Sequence, residues 1–173
     1  MFDSIFKYIL RILYSMSSCI GFGKLGSIIR MCFIRPLLHE SSRKCKNVYI
    51  GKHVKIVSPD KLRLGNNISI HDYCYLDCSG SIIIENDVSI AHGCSIISFN
   101  HTYHKKNIPI KFQELEYGAI KINKDCWLGC KVILLANVEI SEHSIVAAGA
   151  VVTKSMPPHV ICAGNPAKII KSI

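Results

Sequence analysis

The sequence predicts an all-β chain wound as a parallel β-helix of hexapeptide repeats, with a helical N-terminal extension and a short C-terminal tail. A branched aliphatic residue recurs every six positions: Ile50, Ile56, Leu62, then Leu64, Ile70, Leu76, Ile82, then Ile84, Ile90, Ile96, and again Ile122, Leu128, Leu134, Ile140, Val146, Val152. Six is a multiple of two, so these side chains share one face of extended backbone, whereas a helix would scatter them around its circumference. Four residues after each lies a small or β-branched residue, among them Val54, Cys74, Val88, Cys94, Cys126, Val132, Val138, Ser144 and Ala150, often preceded by Gly, Asn or Asp. Those are turn residues, so each hexad is a short strand plus a corner. Stacked hexads hydrogen-bond to their neighbours and face the aliphatic ladder inward.

Residues 1–47 follow a different rule. Phe2, Ile5, Phe6, Ile9, Leu10, Ile12, Leu13 and Tyr14 have helical spacing, with Lys7 and Arg11 on the polar side. A second helix is expected around Ile28 to Leu38, interrupted by Pro36. Neither apolar run approaches the ~20 uncharged residues of a membrane span. This extension holds Lys7, Arg11, Lys24, Arg30, Arg35, Arg43, Lys44 and Lys46 against Asp3 and Glu40, which is most of the chain's net charge of +9. Such a helix can lie peripherally on an anionic membrane, on its inner face, or pack on the β-helix or a second subunit.

The β-helix is expected over residues 48–160, with an extruded loop at about 98–120 and a tail at 161–173. The 173 residues suit one core. Nine cysteines, an odd number without a CxxC pair or a secretory leader, argue against disulfides and metal and for a reducing cytoplasm. Cys74, Cys94 and Cys126 take the small inward position of the hexad as apolar fillers, while Cys78 and Cys130 fall at the next corner. A single Trp and no alternation of basic and aromatic residues leave nucleic acid an unexpected partner.

Between Ile96 and Ile122 runs SFNHTYHKKNIPIKFQELEYGAIK, too polar to continue the core. From Asp125 the chain reads DCWLGCKVILLANVEISEHSIVAAGAVVTKSMPPHVICAGNPAKIIK. Over roughly residues 48–173 these features resemble the hexapeptide-repeat acyltransferases, of the type that O-acetylates sugars and polysaccharides. The resemblance implies a left-handed coil, a homotrimer with sites between subunits, and acetyl-CoA as donor without a metal. Departures are Leu128 for a usual Ile, Glu85 for a frequent Gly, and Leu135-Ala136 for a frequent Pro-Gly.

In that family a catalytic histidine begins such a loop, commonly after Asn, and Asn100-His101 matches it. An alcohol is a poor nucleophile near neutral pH, so acetyl transfer to a sugar hydroxyl needs a base to take its proton; imidazole suits the task. His101 is the expected base, by direct transfer. Asp77, one coil earlier, resembles the acid or amide that relatives place near the acceptor. Asn100, Tyr103, His104, Glu116 and Tyr117 are further acceptor candidates, with His71 and His92 as possible cleft residues. On the donor side Trp127 and Gly129 match a WIG-like element, and Gly129 is a candidate oxyanion donor. Ala148 and Gly149 match the small residues along which pantetheine lies, Thr153 and Lys154 a TK motif, and Asn165, Pro166 and Lys168 the GNPAK element. Lys154, Lys168 and Lys171 are suited to the phosphates of CoA. Within the fold, a streptogramin-type antibiotic O-acetyltransferase and a metal-dependent γ-carbonic-anhydrase-like protein are the alternatives; the latter needs three converging histidines.

Overall fold

The computed structural model describes residues 2–19, 21 and 23–173; Met1, Ile20, Phe22 and the side chains of Phe2 and Asp3 lie outside the described set. Helix α1 spans Phe2–Ser17 and helix α2 Gly23–Ile34, followed by a 3-10 turn at Arg35–Leu37. The second helix thus starts five residues earlier than the apolar pattern suggests, and it ends at Ile34, because Pro36 disfavours helical backbone at Arg35.

From Val48 the chain winds as a three-sided parallel prism. The first face stacks Val48–Ile50, Ile68–Ile70, Ser89–Ile90, Trp127–Leu128, Ile145–Val146 and Val160–Ala163. The second stacks Lys55–Val57, Tyr75–Asp77, Ser95–Ile97, Ile133–Leu134 and Val151–Val152. The third stacks Leu62–Leu64, Ile82–Ile84, Ile120–Ile122 and Glu139–Ile140. Lys168–Ser172 closes the first face antiparallel to Val160–Ala163. The aliphatic ladder fills the interior: Leu76, Ile96, Leu134 and Val152 follow one another in register, each fully buried.

The doubled aliphatic steps at Leu62/Leu64 and Ile82/Ile84 have a structural cause. Both members of each pair point inward from a three-residue strand on the third face. The early coils are correspondingly longer, with Tyr49 opposite Ser69 and Ser69 opposite Ser89, whereas Trp127 sits opposite Ile145. Their additional residues occupy the corner between the second and third faces, at Ser58–Pro59 and at Ser79–Gly80. On the third coil that same corner expands into residues 98–119 and carries the extruded loop.

The corners turn through left-handed backbone, in one row at the short polar residues Asn47, Asn67 and Asp87, whose side chains form a ladder at 3.0 and 2.8 Å. The small inward positions Cys74, Cys94 and Cys126 are buried, as is Cys78, and the thiols of Cys74, Cys94 and Cys126 donate to the carbonyls of Ala91, Gly129 and Ser141 at 3.2, 3.1 and 3.1 Å. All nine cysteines are free thiols.

The helices cap the open end of the prism. Arg30, fully buried, donates from Nε to the Ile50 carbonyl at 2.8 Å and from a terminal nitrogen to the Ser17 carbonyl at 3.2 Å. Tyr14 donates to the Val54 carbonyl at 2.8 Å, which lays α1 across the first coil of the second face. Among the described residues no helix is long and apolar enough to cross a membrane.

Candidate active site

The extruded loop is a β-hairpin. Phe99–His101 pairs antiparallel with Leu115–Tyr117, His101 opposite Leu115, Asn100 opposite Glu116, and Phe99 opposite Tyr117. Directly paired residues share a face of a two-stranded ribbon and alternate residues change face. His101 therefore stands with Phe99, Leu115 and Tyr117, and Asn100 with Glu116 on the reverse side. The His101 ring meets Phe99 edge-on at 6.4 Å between centroids. The two polar candidates Asn100 and Glu116 are thus separated from the candidate base by the strand pleat.

Two buried polar groups hold the hairpin. At its root, Ser98 is fully buried; its hydroxyl donates to the Asp77 carbonyl at 2.6 Å and accepts from Gly80 N at 2.8 Å, while its carbonyl accepts from Gly118 N at 2.9 Å. A methyl at Gly80 would strike the Ser98 carbonyl, so the close approach requires glycine. At the tip, Gln113 donates to the carbonyls of Lys105 and Ile108 at 3.0 and 2.8 Å and accepts from Lys105 N at 3.1 Å. Tyr103 and His104 tilt against one another at 4.7 Å between ring centroids, exposed in the segment that follows the Phe99–His101 strand.

Asp77 is buried beneath this root, with its carboxylate engaged by its own turn. One oxygen accepts from the hydroxyl and the backbone N–H of Ser79 at 2.6 and 3.1 Å, the other from Tyr75 at 3.0 Å. That arrangement clamps the corner and leaves part of the carboxylate's acceptor capacity for a further partner. Tyr75 and Ser79 carry no chemical signature in the sequence; only the fold turns them onto Asp77.

The donor candidates divide between two places. Gly129 donates its N–H to Val146 and lies against the Ala147–Ala148 backbone, and Gly149 caps the next coil at the corner between the first and second faces. From that corner Val151–Val152 crosses the second face, and Thr153 and Lys154 follow at its far end. The chain returns to it at Gly164, which accepts from Val151 N at 3.0 Å, and at Ala167, which donates to the Val151 carbonyl at 2.8 Å, bracketing Asn165 and Pro166. Lys168 and Lys171 then run back along the first face, opposite Ala163 and Ile161. Trp127 is placed elsewhere: with Asp125, His143, Ile145 and Ile173 it lines a separate cavity of about 320 Å³. There Asp125 and His143 pair at 2.6 Å on the exposed corner. His92, at 3.4 Å from the Cys130 sulfur, stands beside Gly149, while His71 tilts against Tyr49 near the capped end.

The second face thus carries, from one end of the prism to the other, a cavity under α1, Asp77, the root of the His101 hairpin, and the Gly149–Lys154 segment. Among the described residues no group of three His, Cys, Asp or Glu is placed to hold a metal ion.

No family model matches the chain. It is 34% identical over 114 residues to a protein of Staphylococcus aureus strain MRSA252 described as "Putative acetyltransferase SAR2635", a match that covers 65% of this chain and 55% of that one. Over 113 residues it is 34% identical to Escherichia coli K12 WbbJ, described as "Putative lipopolysaccharide biosynthesis O-acetyl transferase", with 61% and 58% covered. The chain spans a little over half the length of these curated relatives. Among solved structures, a maltose O-acetyltransferase from Clostridium difficile 630 superposes with a TM-score of 0.82 at 21% identity, over 96% of this chain and 86% of that one. A Vibrio cholerae hexapeptide-repeat acetyltransferase complexed with acetyl-CoA gives 0.80 at 20%, over 98% and 87%. The chain has the hexapeptide-repeat acetyltransferase fold and acetyltransferases as its relatives in sequence.

Proposed function

We propose that the protein is an acetyl-CoA-dependent O-acetyltransferase that acetylates a sugar hydroxyl of a bacterial surface polysaccharide or its precursor. The observation that carries this reading is the arrangement along the second face, where a hairpin holding His101 rises between the Asp77 corner and the open glycine corner at Gly149. The relatives include a protein named for lipopolysaccharide O-acetylation, and a structural neighbour is a maltose O-acetyltransferase.

In this mechanism the pantetheine arm lies over Ala148 and Gly149 and brings the thioester to the hairpin. His101 takes the proton of the acceptor hydroxyl as its oxygen attacks the thioester carbonyl. The tetrahedral intermediate collapses with cleavage of the C–S bond, and the imidazolium returns the proton to the leaving thiolate. Asp77, its carboxylate fixed by Tyr75 and Ser79, orients the acceptor or the base from the neighbouring coil. Lys154, Lys168 and Lys171 meet the phosphates of CoA. Exposed Ile108, Ile110 and Phe112 at the hairpin tip, with Ile169 and Ile170 of the tail, favour a homotrimer in which the hairpin reaches a neighbouring subunit. Helix α1 presents a second apolar stripe to the outside, which favours peripheral contact with an anionic membrane.

His101→Ala is expected to lower kcat by about a hundred-fold or more while acetyl-CoA binding persists. Release of CoA thiol in the presence of a sugar panel reads the first and calorimetry the second. Near-normal turnover of that variant overturns the assignment.

A further inference from the structure

The cavity under α1 is chemically distinctive. It holds about 410 Å³, room for a ligand of monosaccharide size, between α1 and the first coil of the second face. Its floor is apolar, from Val54 and Ile56, and Arg11, His53 and Lys55 line it. No Asp or Glu does so. Among the described residues no carboxylate pairs with Arg11 or Lys55. Carboxylates of the next coil are engaged elsewhere: Asp72 accepts from Lys52 N at 2.7 Å, and Asp77 from Tyr75 and Ser79. Lys55 rests over the Tyr75 ring at 5.7 Å, and His53 stacks on Tyr73 at 4.9 Å, so both side chains are supported by the coil below.

Cations gathered around a concave surface without counter-charges repel one another, and an anion relieves that repulsion while accepting charge-assisted hydrogen bonds. The cavity opens on the same face of the prism as the candidate site. Lys55 and Val57 are the register partners of Tyr75 and Asp77, one strand spacing away, and the hairpin root lies one coil further. A ligand anchored under α1 would extend along the second face toward His101.

We propose that this cavity is the subsite for an anionic group of the acceptor, a phosphate or a carboxylate carried by the sugar, held by Arg11, Lys55 and His53. The proposal rests on the reading of the protein as a sugar O-acetyltransferase and narrows its acceptor to a charged sugar.

Calorimetric titration of the full-length protein with glucose 1-phosphate, glucuronate and glucose tests it, with Arg11→Gln/Lys55→Gln as the paired variant and saturable acetyl-CoA binding as the check on its folding. At least one of the two anions is expected to bind about ten-fold or more tightly than glucose, and the variant is expected to lose that preference. The stronger of the two distinguishes a phosphate from a carboxylate source. Equal affinity for anion and glucose, or a preference that survives in the variant, overturns the proposal. Acetyl transfer is assayed separately with the same three sugars. Selective anion binding without transfer to any sugar would count against the transferase reading and leave the anion subsite standing; transfer without anion selectivity would do the reverse.

Discussion

Gly149 shows what a single residue contributes beyond the repeat. Its φ of +73° lies in the left-handed region, yet the same corner of other coils holds His53, Tyr73 and Lys131 at φ of 52°, 62° and 57°. Backbone geometry alone therefore does not demand glycine, and neither does packing, since no atom lies within 4 Å of where a Cβ would stand. Gly149 leaves open space outside the coil, which the proposed pantetheine groove would use. Gly149→Tyr is accordingly expected to cost about 1–2 kcal/mol of stability, the usual cost of left-handed backbone, while weakening CoA binding more than ten-fold. Thermal unfolding and calorimetry measure the two effects; unchanged CoA affinity would remove Gly149 from the donor site. Asp77 differs in that its carboxylate is fixed by its own turn through Ser79 and Tyr75, which sets the direction in which its remaining acceptor capacity faces.

At the scale of elements, the corner between the second and third faces and helix α1 differ most from a plain hexad. Enlargement of that corner is graded: two additional residues at Ser58–Pro59 and Ser79–Gly80, then the whole hairpin after Ser98. The hairpin is thus an elaboration of a corner already loosened in earlier coils. Helix α1 buries Leu10 and Tyr14 against the prism and leaves Ile5, Ile9, Ile12 and Met16, at 43–67% exposure, as a stripe on its outer side. One helix with two apolar sides needs a second surface to cover one of them. Flotation with anionic vesicles is expected to carry the protein upward, less so at high salt, and Ile9→Glu/Ile12→Glu is expected to leave it in the pellet fraction with acetyl-CoA binding retained. A variant that floats as well as the parent would assign the stripe to contacts between subunits instead.

Across the whole molecule, the buried thiols couple stability to pH. Burial pushes the Cys126 thiol up from 9.0 to about 11, helped by Asp125, Glu85 and Glu142, and burial also raises Cys78. The folded state thus favours the neutral thiol, so this stabilisation is complete below pH 9.0 and is lost as pH rises through about 11. Loss is compounded because the Cys126 thiol donates a hydrogen bond to Ser141 that a thiolate cannot make. Urea midpoints are expected to fall across that window, and to fall less in Cys126→Ala once its own lower starting stability is subtracted. A parallel decline in both proteins would assign the effect to other groups.

The period of six was sufficient for the parallel prism, its inward ladder and the place of its interruption, because burial of one face of a strand leaves a direct record in residue spacing. Motifs that resemble a known family named His101 and the glycine-rich donor stretch, since those residue types carry their chemistry wherever they are placed. Tertiary structure decided which of them meet. The hairpin pleat set Asn100 and Glu116 on the reverse side from His101, the coil turned Trp127 toward a separate cavity, and α1 brought Arg11 over Lys55 from more than forty residues away. A sequence repeat specifies which face of a strand is buried; which side chains converge across a corner or beneath a helix depends on register and packing between segments that have no shared pattern.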